Sequence, residues 1–244
     1  MDISVLQEQK NILILHIKNT DPVTVNTLRR AMVAEVPTFA ISQVRFIKNT
    51  SALFHEIIAH RLGLVPLTTP EEALLDTPQE VIISLNCEGP LTVYSSHLKT
   101  TDDSVKPAYS KIPLVTLLKD QELQFEAKVE LGVGKKHIKH APALVYYRGY
   151  PQFIIEKKTG VKAVVDTCPV VEKNNSLHVT DFLQWNEVHE KMCHENGIHI
   201  ENSEKEFVMT IESWGNMSPK HIFAQALVAL DKQLAHLYDD VKKT

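Results

Sequence analysis

The chain has 244 residues, 43% apolar and 23% charged, with 26 basic and 30 acidic side chains and a formal charge of −4. That composition excludes a disordered chain, and without a long basic run it excludes one built throughout as a nucleic-acid grip. No apolar run approaches the ~18 residues that cross a bilayer, and MDISVLQEQK lacks the basic start and apolar core of a secretion signal. A cytoplasmic protein with no membrane partner is expected.

In chain order, residues 11–17 (NILILHI) read as a buried strand paired with 3–9 through a turn at Lys10-Asn11. Asp21-Pro22 opens a helix, with Asp as cap and Pro at the first helical position. Val25, Leu28, Met32 and Val36 recur at helical spacing, and Pro37 stops the run. Phe39 and Ile41 alternate as in a strand, whereas Val44 and Phe46 have the opposite parity. One extra residue near Ser42-Gln43 restores the face, so a bulge is expected there. Ser51 is expected to cap a second helix with apolar positions Leu53, Phe54, Ile57, Ile58 and Leu62. Gly63 stands where a left-handed C-cap belongs.

Residues 81–150 read as short strands broken by Gly, Pro and Asp. The section 158–205 is polar, holds many of the 12 histidines, and carries one short helical pattern at 180–193. A strand follows at 207–213. Ser218-Pro219 then starts the clearest element, in which Phe223, Leu227, Leu230, Leu234, Leu237 and Val241 recur at steps of four and three. That is a heptad seam. Six such side chains left in water would each forgo about 1.5–3 kcal/mol of burial. They pack on the chain's own sheet or on a partner helix, and the narrowness of the seam favours a partner. The strands at the two ends need each other to complete a layer, so the β-rich middle reads as an insertion.

Motifs for catalysis are missing: there is no Gly-rich phosphate loop, G-x-S-x-G elbow or H-E-x-x-H pattern. Asp102-Asp103 reads as a surface loop. Trp185 and Trp214 lack the aromatic company of a stacking platform. Lys135, Lys136, His137, Lys139 and His140 form the densest basic cluster, a solvated loop or a contact for an acidic neighbour rather than a nucleic-acid site. Three cysteines, Cys87, Cys168 and Cys193, are too scattered for a disulfide framework. His189 and Cys193 share a helix face, but structural zinc usually shows two such pairs and only one is present, so zinc is not expected.

Taken in order, several runs resemble the D subunit of archaeal RNA polymerase, related to the third-largest subunit of eukaryotic RNA polymerase II and to the N-terminal domain of the bacterial α subunit. They are Asn26-Thr27-Leu28-Arg29-Arg30, Ala34-Glu35-Val36-Pro37-Thr38-Phe39-Ala40, Ser51-Ala52-Leu53-Phe54, Ile58 through Leu67, and Gly134-Lys135-Lys136-His137 through Pro142. The resemblance implies an α+β fold: a composite dimerisation domain of sheet and long helices from both chain ends, an inserted mostly-β domain, and a small degenerate ferredoxin-like insert. The expected segments are 1–47 and 206–244 for the dimerisation domain with a return strand at 151–157, 48–150 for the β-rich domain, and 158–205 for the insert.

The resemblance also implies a non-catalytic assembly subunit that pairs with a small subunit L, joins small subunits N and P, and docks the second-largest subunit. Arg29, Arg30, His60 and Arg61 would face that large subunit. Arginine suits such a face through its fork of donors; plain solvation, or the helix dipole for His60 and Arg61, remains the alternative. The seam from Phe223 to Val241 would face L. Many such subunits hold an iron–sulfur cluster in the insert, and Cys168-Pro169 looks like the end of a ferredoxin ligand run. With only Cys168 and Cys193 available there, no cluster is expected. The alternative function is a metal- or redox-sensing protein using the His/Cys-rich section 168–199.

Overall fold

The computed structural model describes residues 1–74 and 80–243. Its strands and helices follow in the order β1 (Asp2–Gln9), β2 (Ile12–Lys18), α1 (Pro22–Ala34), β3 (Pro37–Asn49), α2 (His55–Gly63), β4 (Val81–Glu88), β5 (Leu91–Tyr94), β6 (Lys99–Thr100) and β7 (Pro113–Leu117). They continue with β8 (Glu122–Val133), β9 (Ala143–Ile155), α3 (Lys158–Thr167), β10 (Val170–Lys173), β11 (Ser176–Val179), α4 (Glu187–Glu195), β12 (Ile198–Ser213) and α5 (Pro219–Lys243). The chain divides into two compact units, 1–29 with 145–211 and 30–144 with 212–244.

The first unit is built on a sheet of order β1-β2-β12-β9. β1 and β2 form the expected antiparallel hairpin, from Asp2 opposite Lys18 to Gln9 opposite Ile12. In β2 the run Leu13 to Ile17 is buried without interruption, as is Phe207 to Ile211 in β12. Continuous burial, rather than alternation, marks strands covered on both faces. His16 lies in this buried run, its Nε2 2.8 Å from Glu206 Oε2 and its ring stacked on Tyr150. Burial holds His16 below the ordinary histidine value, and the Glu206 bond offsets part of that.

The same unit contains a small layer of its own. α3, the β10–β11 hairpin and α4 enclose Val161, Val164, Cys168, Val170, Leu177, Trp185, Cys193 and Ile198. The polar composition of 158–205 concealed this core. The helix expected at 180–193 begins later, at Glu187, because Asn186 caps it by accepting from the Val188 and His189 amides. β12 extends well upstream of the strand expected at 207–213.

In the second unit, β3-β8-β4-β6 form one sheet and β5-β7 another. Val81, Ile83 and Leu85 of β4 alternate inward with Leu123, Phe125, Ala127 and Val129 of β8, and α2 contributes Ile58 and Leu62 to the same core. β3 pairs with β8 along its whole length, and the register shifts between Ile41 and Gln43, where the parity change required a bulge. This strand straddles the expected segment boundary at 47/48.

Two caps differ from expectation. α2 starts at His55 after Phe54, with no side-chain cap; Ser51 instead bonds Asn49 and Leu53 in the preceding turn. Gly63 is helical and the C-cap is Leu64 at φ −91°, so no left-handed residue is used. Asp21 caps α1 as expected, accepting from the Val23 and Thr24 amides at 2.8 and 3.0 Å.

Candidate partner-binding surfaces

α1 buries Val25, Leu28, Ala31 and Met32, which turns the arginines outward. Arg29 is half-buried, its Nε donating to Asn26 Oδ1 at 3.0 Å, while Arg30 is exposed. The turn 134–140 seats on the last residues of α1. Lys135 N donates to Ala34 O at 2.9 Å, and a Cβ on Gly134 would stand 2.1 Å from Val33 O. Only glycine permits that approach. Lys135 Nζ reaches Glu35 at 3.8 Å. The turn is fixed at its other end by the buried His140, whose Nδ1 lies 2.8 Å from Thr38 O while Thr38 Oγ1 donates to His140 O. Burial depresses His140, and the Thr38 carbonyl opposes that shift. The basic cluster is therefore partly a tether: Lys139 Nζ donates to Ile41 O at 3.1 Å and His140 is core, leaving Lys136 and His137 exposed.

On α2, Ile58 and Leu62 face in, and His60 and Arg61 are exposed. Arg61 Nη2 donates to Pro113 O at 2.6 Å, so the chain's own backbone already holds it. Phe54 and Ile57 are also exposed. Both are among the apolar positions of the helical pattern. Their spacing from Arg61 (i, i+3, i+7) is the available signal that one outward face carries all three.

α5 supplies the longest apolar surface. Pro219, Ile222 and Ala226 are buried, and Phe223 and Leu230 of the seam are half-buried. Leu227, Leu234, Leu237 and Val241 are exposed, the last three at 61–67%, as are Val228 and Tyr238. Every residue from Asp231 to Lys242 is exposed. Helices of fewer than about 12–15 residues are marginal in water without packing, so this half gains little support from its own chain.

The section 168–199 does not gather its donors into a metal site. Cys168 and Cys193 adjoin within the apolar core; burial, and secondarily Cys168, push the Cys193 thiol up to about 12. His189 is used in the α4 cap and stacks on Trp185, and His199 pairs with Glu156 at 3.3 Å. A ferredoxin-type iron–sulfur cluster takes four thiolates; the two buried thiols here do not supply that set. Among the described residues no group of three or more His, Cys, Asp and Glu side chains is arranged to hold an ion. Trp185 has an aromatic neighbour after all, Phe153 at 5.7 Å edge-on, but inside this core.

Among the described residues no helix is long and apolar enough to cross a membrane. The family model for the RNA polymerase Rpb3/RpoA insert domain matches residues 44–145, the span from β3 into β9. Over its full length the chain is 35% identical to DNA-directed RNA polymerase subunit Rpo3 of Thermococcus kodakarensis, covering 98% of that protein. It is 30% identical to subunit Rpo3 of Methanobrevibacter smithii, with 93% of each chain covered, and 36% identical to that of Pyrococcus furiosus over 86% of this chain and 73% of the relative. This chain belongs to the family of archaeal DNA-directed RNA polymerase subunit Rpo3.

Proposed function

We propose that this chain is a non-catalytic assembly subunit of a DNA-directed RNA polymerase, acting through buried surface and without a cofactor. In this reading elements of both chain ends, with the outward seam of α5, pair with a small L-type subunit. The α1 arginines, with His60 and Arg61 on α2, face the second-largest subunit, and N- and P-type subunits complete the platform. A cytoplasmic location follows from that role.

The observation that carries the proposal is the exposed seam. Covering Leu227, Leu234, Leu237 and Val241 is worth roughly 6–12 kcal/mol at about 1.5–3 kcal/mol each. Association costs about 4–15 kcal/mol in lost freedom, so the seam supports pairing only as part of a larger interface. The half-buried Phe223 and Leu230 and the exposed Val228 and Tyr238 extend it.

The test is co-expression with an L-type subunit from an archaeal polymerase. A soluble 1:1 dimer is expected, with the chain alone self-associating in light scattering. A well-behaved monomer with no affinity for the L-type subunit would sink the proposal.

A further inference from the structure

The layer of α3, β10–β11 and α4 leaves the sheet of the first unit and returns to it at one point. Glu156 N and Lys157 N both donate to Gly197 O, at 3.1 and 3.3 Å. Gly197 has φ +72°, and a Cβ there would stand 3.0 Å from the Lys157 stem. The span 158–196 is therefore a body whose two ends are fastened together, and a hinge needs only a few such residues at its base. Inside, the layer is one piece. Its helices close over the buried Cys168 and Cys193, and a Cβ on Gly160 of α3 would stand 2.1 Å from Asn196 O at the end of α4.

Its seat on the sheet is incomplete. Phe153 and Ile155 of β9, with Val165 and Val171 of the layer, are half-buried and line one cleft of about 650 Å³. Packed interiors leave few gaps wider than a water molecule, so apolar surfaces that stand apart in this way have room to meet. Lys162, Glu172 and Asn175 complete the lining and are all exposed, so no buried polar group is placed there to orient a ligand.

Away from the base, one carboxylate holds the layer down. Glu190 Oε1 of α4 lies 3.5 Å from Arg148 Nη1 of β9 and accepts from Trp185 Nε1 at 3.1 Å. The Arg148 guanidinium also lies over the Phe182 ring, 5.8 Å from its centre, and Trp185 meets Phe153 edge-on. Burial disfavours the charge on Arg148, and Glu190 opposes that effect. A neutral residue at 190 would leave this part-buried cation without its counter-ion.

We propose that residues 158–196 form a hinged strap, which turns as one body about the Lys157–Gly197 base and is latched to the sheet by Glu190 and Arg148. Release lets the strap turn into the cleft, bringing Val165 and Val171 onto Phe153 and Ile155. The strap is a conformational device of the first unit and does not depend on the assembly role above.

Intramolecular photo-crosslinking of the full chain, with benzoylphenylalanine in place of Val171, tests it. Glu190→Gln keeps an acceptor for Trp185 and removes the charge that faces Arg148. The yield of adduct to residues 153–155 should rise about tenfold, the equivalent of one lost charge-assisted hydrogen bond. Arg148→Gln, made on the sheet instead of the strap, should give the same rise. The same probe at the exposed Lys173, outside the cleft lining, should respond to neither substitution. Amide exchange in α3 and α4 should stay unchanged in both variants, because a body that turns keeps its internal hydrogen bonds. An unchanged yield at 171, a rise in only one variant, an equal rise at 173, or faster exchange through α3 and α4 would overturn the proposal.

Discussion

The layer formed by α3, β10–β11 and α4 and the second half of α5 are opposites. The first reads as polar and weakly patterned, yet it folds around a core with Trp185 and Cys193 buried. The second has the most regular apolar pattern in the chain, yet from Asp231 onward every described side chain through Lys242 is exposed. Periodicity identifies a face; it does not say which molecule covers that face. A short core needs only a few residues at irregular spacing, whereas a helix that waits for a partner must carry its whole apolar stripe in sequence.

The sharpest way to break this contrast is to disturb each region and measure both folding and pairing. Trp185→Ala removes a buried ring that packs edge-on against Phe153 and a Trp185 Nε1 that donates to Glu190 Oε1 at 3.1 Å. It should cost about 3–5 kcal/mol in the stability of this layer, read by native-state proteolysis, while leaving pairing with an L-type subunit intact. Loss of pairing with unchanged proteolysis would reverse the roles assigned to the two regions.

The seam should answer in the opposite sense. Leu234→Glu with Leu237→Glu should weaken pairing by roughly a hundredfold or more and leave the free chain's stability within about 0.5 kcal/mol of the parent. A large destabilisation of the free chain would mean that α5 is held by its own chain.

Much of this was legible in sequence because the signals were local. Asp21-Pro22 starts α1, the parity change between Ile41 and Val44 requires the register shift, and Ser218-Pro219 opens α5. The errors came where tertiary packing overrides local preference. Ser51 sits four residues before the first residue of a helix and is spent on a turn. Phe54 and Ile57 have the spacing of core residues and lie outside. Among the candidate contact residues, Arg30 and His60 are exposed. Arg61 is bound to Pro113 O, a contact 52 residues away in sequence that no local pattern announces.

The histidines give a weaker effect that also separates packed from unpacked regions. His16 and His140 are both buried and both held below the ordinary histidine value of 6.5, chiefly by desolvation. The native state therefore favours their neutral forms, and the unfolded chain takes up protons first as pH falls. Their contribution is fully present above about pH 6.5 and is lost as pH drops below it. Denaturant midpoints should fall between pH 7.5 and 5.5, and a midpoint that is flat or rises on acidification would contradict this.

The smallest expected change is in the fold of Arg30→Glu. On an exposed position, stability and L-type pairing should stay within about 0.5 kcal/mol of the parent, while docking to the second-largest subunit weakens in a pull-down. If L-type pairing fails instead, the two faces have been assigned the wrong way round.

Amide hydrogen exchange of residues 231–242, in the free chain and in its dimer with an L-type subunit, tests the central claim most directly. Exchange in the free chain should approach that of a fraying helix, and pairing should slow it by orders of magnitude, while the core strands β2 and β8 change little. Protection already present in the free chain, or none gained in the dimer, would contradict a seam reserved for a partner.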